Sequence, residues 1–228
     1  MIRLYIFFII LYFYYLIFKI ENYVSAIADQ ILEKVLTRLN IENKSNEEKF
    51  NNIYKIFPEL DRLNEEGTFS VSTTGTITER ICGWALDAAL PNGYYRLTSR
   101  SDKWLGDYVI LGVPFNIVIS VKSYKVKERL LVSGSGSLLV PTIGWGFMDD
   151  PREFKYERLQ SYLYRGFIAI YMPNFTLQKV ENESLTLENV HKKKFLRPIE
   201  NLVNDIKNAI EEKKFGQSVM LAVNPRKF

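Results

Sequence analysis

One cysteine and one histidine are all that this chain of 228 residues offers to thiol or soft-metal chemistry. Cys82 alone excludes an intramolecular disulfide framework and favours a reducing compartment. His191 opens the run His191-Lys192-Lys193-Lys194, which reads as a solvated turn. Zinc sites built from several His and Cys ligands, and Ser-His or Cys-His catalysis, therefore have too little to work with. A large excess of one sign of charge is lacking as well. A net charge of +4 does not by itself declare a nucleic-acid binder, although a mildly basic surface suits phosphate contacts. No stretch is rich enough in Gly, Ser or Pro to be a linker, and 47% hydrophobic content can bury one substantial core. The expectation is one domain, or one with an added element.

One long hydrophobic run is present. Leu4 to Phe18 is uninterrupted apolar and aromatic between Arg3 and Lys19. At helical rise it spans roughly 22 Å, short of a hydrocarbon core of about 30 Å. Three readings stand: a membrane anchor, a secretory signal cut after Val24-Ser25-Ala26, or an upstream extension with the working start near Tyr23. Lys19 and Glu21 make the cleavage region unusually charged. Residues 1–22 are thus set apart as a leader and 23–228 as a single domain. The lone cysteine favours the cytoplasm, with membrane association through residues 4–18 left open.

Downstream, Val24, Ile27, Ala28, Ile31, Leu32, Val35, Leu36 and Leu39 recur at helical spacing until the polar segment Ile41 to Asn46. Phe50, Ile53, Tyr54 and Phe57 repeat the pattern before Pro58 interrupts it. Thr68 to Gly75 reads as a short strand, and Thr76-Ile77-Thr78-Glu79 opens a helix running to Leu90, stopped by Pro91-Asn92-Gly93. Gly106 to Ser123 reads as two apolar strands folded back at Pro114-Phe115-Asn116. A basic segment, a Gly/Ser run over Ser133 to Ser137 and a turn-rich stretch from Pro141 to Pro151 follow. Phe154 to Tyr164 is helical, Gly166 to Met172 a buried strand, Ile199 to Ile210 an amphipathic helix ending near Gly216, and Ser218 to Val223 a last strand. Helices flanking a mixed central sheet make an α/β, or α+β, domain.

The hairpin carries the chemistry. Asp107 enters its first strand and Lys122 leaves its second, so the fold-back brings an acid and a lysine to one rim. Such a rim suits a hard metal ion beside a scissile phosphate, because Mg2+ needs few carboxylates and keeps several waters. A lysine there polarises the attacking water and stabilises charge developing on phosphorus. Ser120 and Lys122 share a face by strand alternation, and the Val121 carbonyl remains available to the metal. With Ser120 in the intervening position, a second carboxylate must come from elsewhere. Glu79 is the natural supplier, lying on a helix whose Ile77, Ile81, Ala85 and Ala88 form one apolar stripe and Cys82, Leu86 and Leu90 another. The bland alternative is a capping box between Thr76 and Glu79.

Glu79 in an early helix, Asp107 at the head of a strand, and Ser120-Val121-Lys122 on the next resemble the active site of PD-(D/E)xK nucleases, particularly type II restriction endonucleases. The resemblance covers roughly Thr76 to Ser123. It departs from the family pattern at Gly106, where proline is usual, and at Ser120, where an acid is usual. It implies a Mg2+-dependent homodimer that cuts both strands of short DNA sequences and works alongside a methyltransferase encoded nearby. The resemblance makes Glu79, Asp107 and Lys122 catalytic, with Glu79, Asp107 and the Val121 carbonyl on the metal.

Lys125, Lys127 and Arg129 alternate with other residues and would project cations to one side for phosphates, or else protect an exposed edge strand. Ser133 and Ser135 would let backbone amides and hydroxyls approach the DNA backbone. Trp145, Phe147, Asp149, Asp150 and Arg152 lie where a loop would reach a groove or pack onto the core. Glu128 is a substitute ligand, or a surface partner of its neighbouring cations. Two alternatives stand beside this reading: a membrane-associated binding or structural protein, and a non-restriction nuclease of the same superfamily.

Overall fold

The structure is a computed structural model that describes residues 2–65, 70–99, 102–123, 140–215 and 218–228. The chain divides into two compact units, one of Met1–Lys44 with Tyr54–Ile77 and the other of Ser45–Ile53 with Thr78–Phe228.

The first unit is helical. Helix α1, Ile2–Arg38, runs 37 residues and passes through positions 22 and 23 without a break. Its expected stripe is realised in buried Ala28, Leu32, Val35 and Leu36, while Tyr12, Tyr15, Ile20 and Tyr23 are exposed. Among the described residues, no helix is long and apolar enough to cross a membrane. After α2, Asn46–Asn51, which belongs to the second unit, helix α3 covers Ile53–Glu65 and continues through Pro58. The expected interruption there is corrected. Proline removes one helical hydrogen bond at a cost of about 3 kcal/mol, but Ile56, Phe57, Leu60 and Leu63 are all buried and outweigh it. Arg38 reaches Glu59 at 3.5 Å and ties α1 to α3.

Helix α4, Val71–Ala89, starts five residues before the expected Thr76 and absorbs most of the expected strand over 68–75. The Ser70 hydroxyl accepts from the Thr73 N–H at 3.1 Å, which is the bond an N-cap makes. Thr74 and Thr76 donate their hydroxyls to the carbonyls of Ser70 and Ser72, each at 3.1 Å. These back-bonds quiet the side chains that otherwise compete with helical backbone.

The second unit is built on a mixed six-stranded sheet, so the fold is α/β. Its strands are β1 Tyr95–Leu97, β2 Tyr108–Ile110, β3 Ile117–Lys122, β4 Thr142–Gly146, β5 Phe167–Met172 and β6 Leu196–Pro198, adjacent in chain order. β1, β2 and β3 are antiparallel, and β3 through β6 are parallel. The expected hairpin is β2 and β3, with a cis Val113-Pro114 bond in its turn. Helices α2, α5 (Tyr156–Tyr164) and α8 (Asn201–Ala209) belong to this unit, as do the short helices α6 (Asn174–Leu177) and α7 (Asn182–Leu185).

Two expectations are corrected. The turn-rich stretch contains β4, a wholly buried strand, with Trp145 fully enclosed and its ring 6.4 Å from Phe50 of α2. Gly146 marks a close backbone approach to β3 rather than a turn. At the C-terminus α8 stops at Ala209, and Ile210–Phe215 forms β7, pairing antiparallel with β8, Ser218–Val223. The helix therefore ends well before Gly216.

Candidate functional site

Antiparallel pairing of β2 with β3 ends at Tyr108 opposite Ile119. Just beyond, the Asp107 N–H still donates to the Ile119 carbonyl at 2.8 Å, but the next amide, Val121 N–H, donates to the Asp107 carboxylate at 2.6 Å. A side chain has taken the place of a strand carbonyl. Since the N–H and C=O of one extended residue project to the same edge, the Val121 carbonyl faces the edge that Asp107 closes. Thr98 fixes the turn from behind, its hydroxyl donating to the carbonyls of Gly106 at 2.7 Å and Asp107 at 3.1 Å.

Gly106 has a specific reason. A Cβ there would lie 2.3 Å from Val118 Cγ1 and 2.9 Å from the Ile119 carbonyl oxygen. Proline carries that carbon, so a proline at this position would collide with β3.

Lys122, last in β3, places Nζ 3.7 Å from Asp107 Oδ2, and both side chains are largely enclosed. The acid and the lysine expected at one rim are therefore together. Glu79 joins them electrostatically. Its carboxyl is held above the usual range, first by burial, and is influenced by Lys103, Asp107 and Lys122 in turn. Lys103 Nζ sits 2.9 Å from Glu79 Oε1 and favours the ionised form. The capping box is excluded, because Thr76 lies inside α4 and gives its hydroxyl to Ser72. Tyr108 sets the height of α4 over the site. Its hydroxyl donates to the Glu79 carbonyl at 2.9 Å, and Gly83 admits the phenol, since a Cβ there would lie 3.1 Å from that oxygen.

Ser120 is fully buried, and among the described residues its hydroxyl has no hydrogen-bond partner. Cys82 is fully buried too, and burial pushes its thiol well up, so it is a small core residue with no reactive thiolate. Asp102 accepts from the Ser99 hydroxyl at 2.5 Å within its loop. Asp87 is exposed late in α4 and accepts from Tyr95 at 2.5 Å and Asn46 at 2.6 Å. Lys125, Lys127, Arg129, Ser133, Ser135 and Glu128 lie outside the described residues. Trp145 and Phe147 belong to the core and do not reach for a ligand.

Among the described residues, no group of three or more His, Cys, Asp or Glu side chains gathers around a metal-sized space. The donors present are the carboxylates of Glu79 and Asp107 beside a strand-edge carbonyl. Hard oxygens in that number suit an ion that keeps waters and takes further oxygens from phosphate, and they do not build a closed cage. Sequence reasoning missed Lys103 and Tyr108. Lys103 carries no signal, being one lysine in a loop, and Tyr108 reads as an ordinary strand aromatic.

No family model, curated protein or solved structure matches this chain.

Proposed function

We propose that the chain is a Mg2+-dependent endonuclease that hydrolyses phosphodiester bonds of double-stranded DNA at a short specific sequence, as type II restriction endonucleases do. The observation that carries the reading is the enclosed Asp107–Lys122 pair at the end of a strand hairpin, with Glu79 within electrostatic reach. A membrane-associated binding protein has no use for that pairing.

The metal, when bound, supplies positive charge to the phosphate and to the departing ester oxygen. Asp107 holds its carboxylate rigid against the Val121 amide, with one oxygen committed and the other left to a ligand. Glu79, now paired with Lys103, would bring the second carboxylate to the ion. Lys122 orients the attacking water and balances negative charge gathering on phosphorus. Water adds to phosphorus and releases a proton to solvent, the bond to the leaving ester oxygen breaks, and that oxygen takes up a proton from solvent.

Purified full-length chain is expected to cut phage DNA into discrete fragments with Mg2+ and to leave it intact with EDTA. Uncut DNA across a range of salt and temperature with Mg2+ present overturns the reading. A smear of random fragments favours a non-restriction nuclease. Cutting both strands of a symmetric site is done most simply by two identical active sites about a two-fold axis, so the working form is a homodimer on a palindromic target. Sedimentation on a cleavable duplex in Ca2+ should show two chains per site, and one chain per site rejects the dimer. The enzyme meets its DNA in the cytoplasm, where a companion methyltransferase protects host sites.

A further inference from the structure

At the far end of the β2–β3 hairpin from Asp107 and Lys122, the second unit holds an open cleft of about 990 Å³. Its apolar wall comes from Val113, Pro114 and Phe115 of the hairpin turn, with Ile168 of β5 and Val223 of β8. The wall is firmly built. Val113 donates to the Leu221 carbonyl at 2.9 Å and accepts from Val223 at 3.0 Å, which docks the turn onto β8.

The polar side of the cleft is unbalanced in charge. Glu211, Lys213, His191 and Arg226 line it. Glu211 is neutralised by Lys227 at 3.3 Å. Lys213 and Arg226 have no ion-pair partner among the described residues. His191, partly buried and facing Arg226, is held below its ordinary range and so stays neutral near pH 7, offering a hydrogen bond without adding charge. Two uncommitted cations across from an apolar wall, in a space at the upper end of the roughly 300–1,000 Å³ that small-molecule sites occupy, select one kind of ligand.

We propose that this cleft binds a small organic anion, with a single carboxylate, sulfonate or phosphate head at Arg226 and Lys213 and an apolar body against Val113, Phe115, Ile168 and Val223. The site stands apart from the nuclease rim and does not depend on it. Charge decides the head, because an aromatic or aliphatic body alone would leave both cations unanswered. Shape decides the body, because a bare inorganic ion would leave the apolar wall wet.

The test uses full-length protein and 8-anilinonaphthalene-1-sulfonate, whose fluorescence rises on entering an apolar site, beside its uncharged counterpart N-phenyl-1-naphthylamine. The sulfonate is expected to bind saturably and to be displaced by dodecanoate. The double variant Lys213→Ala/Arg226→Ala, which removes two exposed side chains, is expected to weaken the sulfonate at least tenfold and to leave the uncharged compound unchanged. Unaltered circular dichroism shows that the variant is folded. The proposal is overturned if the sulfonate does not saturate, if dodecanoate fails to displace it, or if the variant binds both dyes as the parent does.

Discussion

Asp107→Asn and Lys122→Met are each expected to slow DNA cleavage by about a thousandfold or more while leaving a folded protein, the loss typical of removing a group that meets charge in the transition state. The choice of substituent matters at position 107. The Asp107 carboxylate accepts the Val121 N–H at 2.6 Å, and an asparagine carbonyl preserves that bond while removing the charge. Asp107→Ala loses both, stranding a buried amide, and should also cost about 1–3 kcal/mol of stability. Urea titration beside single-turnover cleavage separates the two effects. Lys122→Met should bind DNA in Ca2+ better than it cuts in Mg2+, since its proposed role is with the reacting phosphate. Glu79→Gln should join the inactive group, and normal cutting by that variant would pass the second carboxylate to Glu128. Ser120→Ala should cut normally, its hydroxyl having no partner to lose. Full activity in Asp107→Asn would remove the reading altogether.

Gly146→Ala should be among the most damaging single changes to stability. A Cβ on Gly146 would stand 1.8 Å from the Lys122 carbonyl oxygen and 2.7 Å from its carbonyl carbon. These are backbone atoms of the paired strand, with Lys122 directly in register with Gly146, so no side chain can swing away to make room. The strands must part. The expected cost is at or above the top of the roughly 1–3 kcal/mol range for overpacking, with cleavage lost because Lys122 moves with β3. Gly75→Ala is the control. Nothing lies within 4 Å of a Cβ there, and the residue sits inside α4, so alanine should stabilise by about 0.4–1 kcal/mol. Chemical denaturation of both variants checks the pair, and a Gly146→Ala protein as stable as its parent would show that β3 and β4 are not so closely apposed.

The hairpin was legible because two apolar runs flank a Pro114-Phe115-Asn116 turn, and side-chain alternation then dictated which ends meet. The stripe on α1 and the buried run of β5 were legible for the same reason, a clean period over enough residues. β4 was not. Gly144 and Gly146 read locally as turn residues, and only the approach of β3 explains why a side chain is missing at Gly146. The start of α4 was hidden in a Ser/Thr-rich run whose β-branched valine and threonines suggest a strand, although the hydroxyls of Thr74 and Thr76 are spent on carbonyls one turn earlier. The boundary between α8 and β7 was obscured because Glu211 to Lys214 carries no apolar period, so the strand rests on its partner β8. At the site, Asp107 and Lys122 followed from the hairpin alone. The closeness of Glu79 needed Tyr108 to clamp α4, a tertiary contact that no local pattern announces.

On the proposed reading, the pairing of Glu79 with Lys103 and of Asp107 with Lys122 would also govern how quickly the protein finds DNA. Two negative and two positive charges cancel over a few ångströms, so at distances beyond a Debye length of about 8 Å the rim exerts almost no pull on a nucleic acid. Encounter is then driven by cations elsewhere on a chain whose total is only +4, and association should be slow by the standards of electrostatically steered partners. On the proposed reading, sequences would be sorted after landing, not by the force of the approach.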